Sequence, residues 1–122
     1  MKVGASIAKA PVAEYERQLM AAKAQYPFKK QSWRGASGFA AIFDTLIAEL
    51  VSAGEHASEV QKLAVFRCAV AALNDLHRKD TSLIETTEAE QLCELLARIG
   101  IAAGMPPSKF PDEEGAASGR DW

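Results

Sequence analysis

Residues 60–77 carry two apolar stripes side by side, which leaves few folds open to the chain. Within each stripe the residues are three or four positions apart, the spacing that places side chains on one face of an α-helix. The first stripe comprises Leu63, Phe66, Val70, Leu73 and His77, and the second comprises Val65, Ala69, Ala72 and Leu76. A helix with two apolar faces needs neighbours on two sides. The pattern therefore predicts a central helix within an all-α, four-helix bundle-like fold.

Two helices are predicted before this segment. The first covers 11–25 and starts on a proline, a residue suited to the first helical position. It ends at Tyr26, because the residue before a proline is pushed out of the helical conformation. We expect a loop over 26–37, followed by a second helix whose wide apolar face covers 39–51. Gly54 is the predicted C-cap of that helix.

Capping pairs predict where the last two helices begin. Ser58 and Gln61 have the spacing of a capping box, in which the side chains of both residues satisfy free backbone N–H groups. They place the start of the third, central helix at 59 and its end near 78. Thr87 and Glu90 have the same spacing and predict a fourth helix that begins directly after Thr87.

The length and composition fit one globular domain. The chain has 122 residues, of which 48% are hydrophobic and 25% charged, enough to bury a core without disulfides or metals. We expect a single helical domain with an arm over 1–10, a bundle over 11–104 and an irregular acidic tail over 105–122. Phe110 and Trp122 are costly to leave in water, so the tail is expected to lie back across the bundle.

The sequence favours a cytoplasmic protein with reduced cysteines. No apolar run approaches the ~20 residues of a membrane span, and the start lacks the apolar region of a secretion signal. Cys68 and Cys93 fall in helices that we expect to be antiparallel, offset by roughly 7.5 Å along the axis at ~1.5 Å per residue. That offset argues against a disulfide. We therefore predict two reduced, partly buried thiols.

The formal charge of −2 conceals a strong segregation of charge. Up to Ala36 the chain holds 7 basic and 2 acidic residues, whereas the remainder holds 7 basic and 14 acidic residues. In one interpretation the basic part packs against the acidic helices of the same molecule. In the other, each part meets a partner of opposite charge.

Patterns typical of catalysis or metal binding are missing from the sequence. His56 and His77 are the only histidines, and no serine or cysteine stands in a recognisable nucleophile motif. The spacings His-x-x-x-His, Glu-x-x-His and Cys-x-x-Cys do not occur. We therefore predict no catalytic residue, no cofactor and no metal, and a protein that is not an enzyme.

The loop after the first helix mixes aromatic with basic residues, the types that dominate protein interfaces. We predict a protein partner, with partner-binding residues Lys29, Lys30, Trp33 and Arg34. The second choice for partner binding is the acidic run Asp112, Glu113 and Glu114. A similar mixture occurs in proteins that bind single-stranded nucleic acid. Because this chain is acidic and lacks their motifs, we expect neither nucleic acid nor a membrane as partner.

These observations predict a small non-catalytic helical protein that binds a protein partner. Inhibition or neutralisation of that partner is one form of the hypothesis, as in an immunity-type protein, and an adaptor is another. Two alternatives stay open. Val65, Ala69 and Ala72 would face a symmetry mate in a structural homodimer. The turn over 34–38, at the start of the second helix, would bind a phosphate or another anion through its backbone N–H groups.

Overall fold

The computed structural model describes residues 14–122, which form an all-α fold without strands in that range. The predicted arm and the predicted helix start at residue 11 lie outside the described residues. Residues 14–21 are helical (α1) and continue into a 3₁₀ turn over Ala22–Gln25. The other elements are α2 (Pro27–Lys30), α3 (Ala36–Ala53), α4 (Glu59–Lys79), α5 (Thr86–Ala102), and 3₁₀ turns at Pro107–Lys109 and Gly115–Ala117.

Helix α3 supplies much of the core. Its apolar residues recur at the predicted spacing, and Phe39, Phe43 and Leu50 are fully buried. Gly54, at φ +92°, donates its N–H to Leu50 O at 3.1 Å and closes the helix as predicted. By length and composition α3 is also apolar enough to cross a membrane, with a mean hydropathy of 1.4 over 18 residues. One third of that stretch is buried inside the molecule, and the core helix of a globular protein can have the same composition.

Helix α4 has neighbours on two sides, as its two apolar stripes predict. On the first stripe, Phe66 meets Phe110 of the tail edge-on, with ring centroids 5.4 Å apart. On the second stripe, Ala69 is buried on the side where α4 packs against α3. The predicted capping box is present, because Gln61 N–H donates to Ser58 Oγ and Ser58 N–H donates to Gln61 Oε1, both at 3.1 Å.

Three local predictions were wrong. The segment expected to be a loop contains α2, since Pro27 fixes the φ angle that a first helical residue needs. Helix α3 already begins at Ala36, behind Gly35 in the left-handed conformation at φ +78°. Helix α5 begins at Thr86, before the predicted start, because Glu85 N–H donates to Glu88 Oε1 at 3.2 Å.

The tail lies back across α4 and α5, as predicted. Met105, Phe110 and Ala117 are buried, and the turn Gly115–Ala117 packs against both helices. An ion pair of 2.9 Å between Arg78 of α4 and Asp121 adds to this contact. The tail is therefore part of the hydrophobic interior.

The two cysteines form no disulfide. Cys93 is half-buried, as expected, but Cys68 is exposed. Its predicted partial burial was wrong because it faces an open groove beside α3, a feature that helical spacing alone does not reveal.

Candidate functional site

A polar cleft of about 240 Å³ opens between α2 and α5. Its walls come from two parts of the chain that are distant in sequence. The lining residues are Gln25, Pro27, Lys30, Gln31, Gln91, Glu94, Leu95 and Arg98. Six of these eight side chains are polar: two are cationic, one is a carboxylate, and three are amides. Such a lining favours hydrogen bonding over apolar packing.

The sequence around α2 fixes the position of the cleft's basic wall. Tyr26 is extended (φ −60°, ψ 112°), so the chain changes direction before Pro27 begins the short helix. The Tyr26 hydroxyl donates to Asp44 Oδ1 at 2.8 Å, and burial together with this bond raises the pKa of Tyr26 above its ordinary value. Phe28 packs inward with no exposed surface. On a single helical turn this leaves Lys29 and Lys30 facing the solvent.

Charge in the cleft is predominantly positive. Lys30 forms no ion pair within residues 14–122, and its ammonium is free to meet a ligand. On the opposite wall, Arg98 donates from Nη1 to Gln25 Oε1 at 3.3 Å and lies 4.0 Å from the carboxylate of Glu94. That pair is exposed and therefore weak. Two cations and one carboxylate favour an anionic group as the ligand.

An unsatisfied acceptor also lies in this cleft. Gln91 Oε1 is buried and accepts no hydrogen bond from any residue between 14 and 122. Buried polar atoms in folded proteins almost always have a partner. Because Gln91 Oε1 has almost no accessible surface, a donor from a ligand reaches it only after the side chain rotates into the cleft.

Trp33, predicted to bind a partner, is half-buried within an aromatic cluster. Its ring meets Phe39 edge-on at 5.5 Å and Phe28 at 6.0 Å. Its Nε1–H donates to Gln31 Oε1 at 3.2 Å. Because Gln31 lines the cleft, Trp33 orients a cleft residue, and its ring stays partly exposed.

Arg34, also predicted to bind a partner, forms contacts within the molecule. Its guanidinium donates to Asp80 Oδ2 at 2.7 Å and to the Ser82 hydroxyl. Hydrogen bonds from Ser82, and then the one from Arg34, lower the pKa of Asp80 to about 2. This ion pair fits the interpretation in which the basic segment packs against acidic parts of the same molecule. Binding of a partner by Lys29, Lys30, Trp33 and Arg34 stays a prediction, and the structure brings only Lys30 to the cleft.

The acidic run 112–114 is mostly engaged inside the tail. Asp112 accepts the Glu114 N–H and the Ser118 hydroxyl, both at 2.9 Å. Glu114 is ion-paired with Arg120. Glu113 alone in this run forms no side-chain hydrogen bond or ion pair within residues 14–122.

Sequence reasoning missed most of the cleft, because its second wall lies about 65 residues further along the chain. Gln91 and Arg98 lie 5 and 12 residues after the start of α5 at Thr86, on a helix whose outer face has the pattern of ordinary solvent-exposed surface. The Glu94 and Arg98 spacing indicates an ion pair on one helix. No pattern in the sequence shows that α2 would pack beside it.

A second, apolar groove of about 250 Å³ runs between α3 and α4. It contains Val65, Ala69 and Ala72, which face a second copy in the alternative homodimer hypothesis. The lining residues are Ala41, Ile42, Thr45, Leu46, Glu49, Val65, Cys68, Ala69 and Ala72. Ala69 is buried by α3, whereas Val65 and Ala72 stay partly exposed.

The turn predicted to bind an anion, 34–38, has two of its five backbone N–H groups engaged within the described residues, those of Ala36 and Gly38. The N–H groups of Gly38 and Phe39 donate to Gly35 O at 3.0 and 3.2 Å. Arg34 is held by Asp80. These contacts give anion binding no support beyond the sequence.

Residues 14–122 contain no group of three or more His, Cys, Asp or Glu side chains placed to hold a metal ion. His56 is exposed in the α3–α4 connection. His77 Nδ1 is buried without a hydrogen-bond partner among these residues.

Comparisons of the chain with protein-family models, curated proteins and solved structures gave no match. What the cleft binds is therefore inferred from its own chemistry.

Proposed function

We propose that this protein binds another protein, holding an acidic segment of that partner in the cleft between α2 and α5. The observation that carries the proposal is the meeting of Lys30 and Arg98 in one cleft that also contains the unsatisfied Gln91 acceptor. The two cations would attract a carboxylate, and the glutamine amides would bond the partner's backbone.

The size of the cleft supports a protein partner over a small metabolite. Sites for drug-sized molecules usually enclose about 300–1,000 Å³ and are mostly apolar. This cleft is smaller and polar, and it suits one or two side chains of a larger surface. The exposed Lys29 beside it would extend the contact. Because binding alone blocks a partner's surface, inhibition or neutralisation of that partner needs no catalytic group.

Charge reversal in the cleft tests the proposal. The wild-type protein, immobilised in native lysate, is expected to retain a stoichiometric partner that K30E/R98E loses. Since the contact is electrostatic, retention should weaken as salt rises from about 0.05 to 0.3 M.

The matched control is Lys79→Glu, which reverses an exposed lysine of α4 that forms no ion pair within residues 14–122. It should retain the partner as the wild type does. A partner held equally by K30E/R98E, or no stoichiometric partner in any lysate tried, contradicts the proposal.

A structural homodimer is the second candidate, and the open α3–α4 groove favours it. A second copy packed there by two-fold symmetry would cover Ile42, Val65 and Ala72, which are now partly exposed. Light scattering at high concentration is expected to show a dimer that Ala72→Glu dissociates. A monomeric wild-type protein would exclude this candidate.

A further inference from the structure

The last five residues, 118–122, bind to the helices as a peptide ligand would. The side chain of Asn74 on α4 is only 8% exposed and forms two hydrogen bonds with their backbone. Its Nδ2 donates to Gly119 O at 3.1 Å, and its Oδ1 accepts the Asp121 N–H at 2.9 Å. Both bonds go to main-chain atoms two residues apart, so Asn74 holds the backbone directly after the turn that Arg120 N–H closes on Ala117 O at 3.1 Å.

Two side chains of this segment are recognised separately. Asp121 accepts a hydrogen bond from Arg78 of α4 at 2.9 Å. Trp122 lies half-buried on α5 beside Ala89 and Cys93, with the Arg120 guanidinium 5.3 Å from its ring centroid. The two helices therefore contact this segment through its backbone, one carboxylate and one aromatic ring. These contacts lie on a different side of α5 from the polar cleft.

Residues 118–122 leave space unfilled beside α4 and α5, and one of their buried polar atoms has no hydrogen-bond partner within the described residues. Spaces of about 280 and 480 Å³ remain beside them, the first near Asn74 and Gly119 and the second near Cys93 and Trp122. Trp122 Nε1 is buried without an acceptor among residues 14–122. An unpaired buried donor opposes burial of the ring, and the ion pair between Arg78 and Asp121 is exposed and weak.

We propose that residues 118–122 are a displaceable strap in a peptide-binding groove between α4 and α5, and that the groove accepts the same segment from a second copy of this chain. The groove already binds the strap through its backbone, the Asp121 carboxylate and the Trp122 ring. The same segment of a second copy would therefore make the same kinds of contact. Exchange of one strap for another links two copies and conserves the contacts that Asn74, Arg78 and α5 make with the strap. The proposal does not depend on the α2–α5 cleft.

Competition between the strap and an added peptide tests this directly. The probe is a synthetic peptide of residues 118–122 with a dye at its N-terminus, and its binding to the full chain is followed by fluorescence anisotropy. In the wild type the strap occupies the groove. The apparent affinity for the peptide is therefore the intrinsic affinity multiplied by the fraction of time that the groove is open. Trp122→Ala weakens the strap but leaves the groove intact, so it should bind the peptide at least about tenfold more tightly.

Substitutions that damage the groove should lower its affinity for the peptide. Trp122→Ala combined with Asn74→Ala should lose the gain in affinity, whereas K30E/R98E should bind the peptide as the wild type does. Asp121→Ala changes an exposed residue and should raise peptide affinity in the same direction, which gives a second measurement if Trp122→Ala lowers helix content. Equal affinity in the wild type, Trp122→Ala and Asp121→Ala, or no peptide binding by any of them, overturns the proposal.

Discussion

Lys62 shows how a single residue can contradict its ordinary preference. Lysine is rarely buried, yet Lys62 is 5% exposed and lies inside the molecule. Its ammonium donates to Glu55 O at 2.7 Å and to Ala103 O at 2.8 Å, and lies 5.3 Å from the ring centroid of Tyr15. Ala103 is the C-cap of α5, where carbonyl groups carry partial negative charge. One lysine thus joins the α3–α4 connection to the end of α5.

Lys62→Met keeps the length of the side chain but removes the donor from the buried Ala103 carbonyl and from the part-buried Glu55 carbonyl. An unsatisfied buried group costs about 1–3 kcal/mol and one that water reaches costs less, so the free energy of unfolding should fall by about 1–4 kcal/mol. Urea denaturation measures it. Lys79→Met, at an exposed lysine, should change it by less than about 0.5 kcal/mol, and equal effects of the two substitutions would show that the buried ammonium is unimportant.

At the scale of single elements, two helical glycines have opposite surroundings. A Cβ on Gly100 of α5 would lie 2.8 Å from the backbone oxygen of Met105, whereas one on Gly38 of α3 would meet only Leu76 methyl groups at 3.7 and 3.8 Å. The tail approaches α5 closely at Gly100, where Met105 N–H donates to Gly100 O at 2.7 Å. Glycine is therefore needed at Gly100 and merely present at Gly38.

The same substitution at the two positions is expected to have opposite effects. Gly100→Ala forces the tail backbone to move and should lower the free energy of unfolding by about 1–3 kcal/mol. Gly38→Ala gains helix propensity without a clash and should raise it by up to about 1 kcal/mol. Chemical denaturation distinguishes them, and stabilisation by Gly100→Ala would show that the tail is not packed there.

Over the whole molecule, the hydrophobic core depends on the tail. Phe110 closes the interior over Phe66, while the turn Gly115–Ala117 packs against α4 and α5. Ion pairs join the basic and the acidic parts of the chain, including Arg34 with Asp80 and Lys23 with Asp44. The segregation of charge along the sequence is thus partly neutralised on folding.

Phe110→Ala is expected to lower the free energy of unfolding of the entire chain by about 3–5 kcal/mol, since it leaves a cavity against Phe66. Circular dichroism should show one transition at a lower midpoint. Ile101→Ala is the control, because Ile101 is large and apolar but 63% exposed. A Phe110→Ala protein that melts like the wild type would mean that the tail is not part of the core.

Periodicity and local chemistry were enough for much of the fold. The two stripes of α4, the apolar face of α3, the Ser58–Gln61 box and the return of the tail all follow from spacing or from apolar residues that must be buried. These properties depend on residues that are close together in the sequence, so they can be predicted without the tertiary structure. The short α2 and the true start of α5 were not predicted. The first depends on Pro27 and the second on the hydrogen bond between Glu85 and Glu88, and each competed with a plausible alternative in the sequence.

The candidate site was much less predictable. The sequence indicated Lys30 but gave no means to bring Arg98 and Gln91 beside it, and it gave no sign that Asn74 would bond the backbone of the strap. The sequence by itself determined where the long helices lie and which of their faces are apolar, because those properties depend on contacts within a few turns. Only the tertiary structure decided which polar side chains meet, because hydrogen bonds and ion pairs act over a few ångströms between residues tens of positions apart.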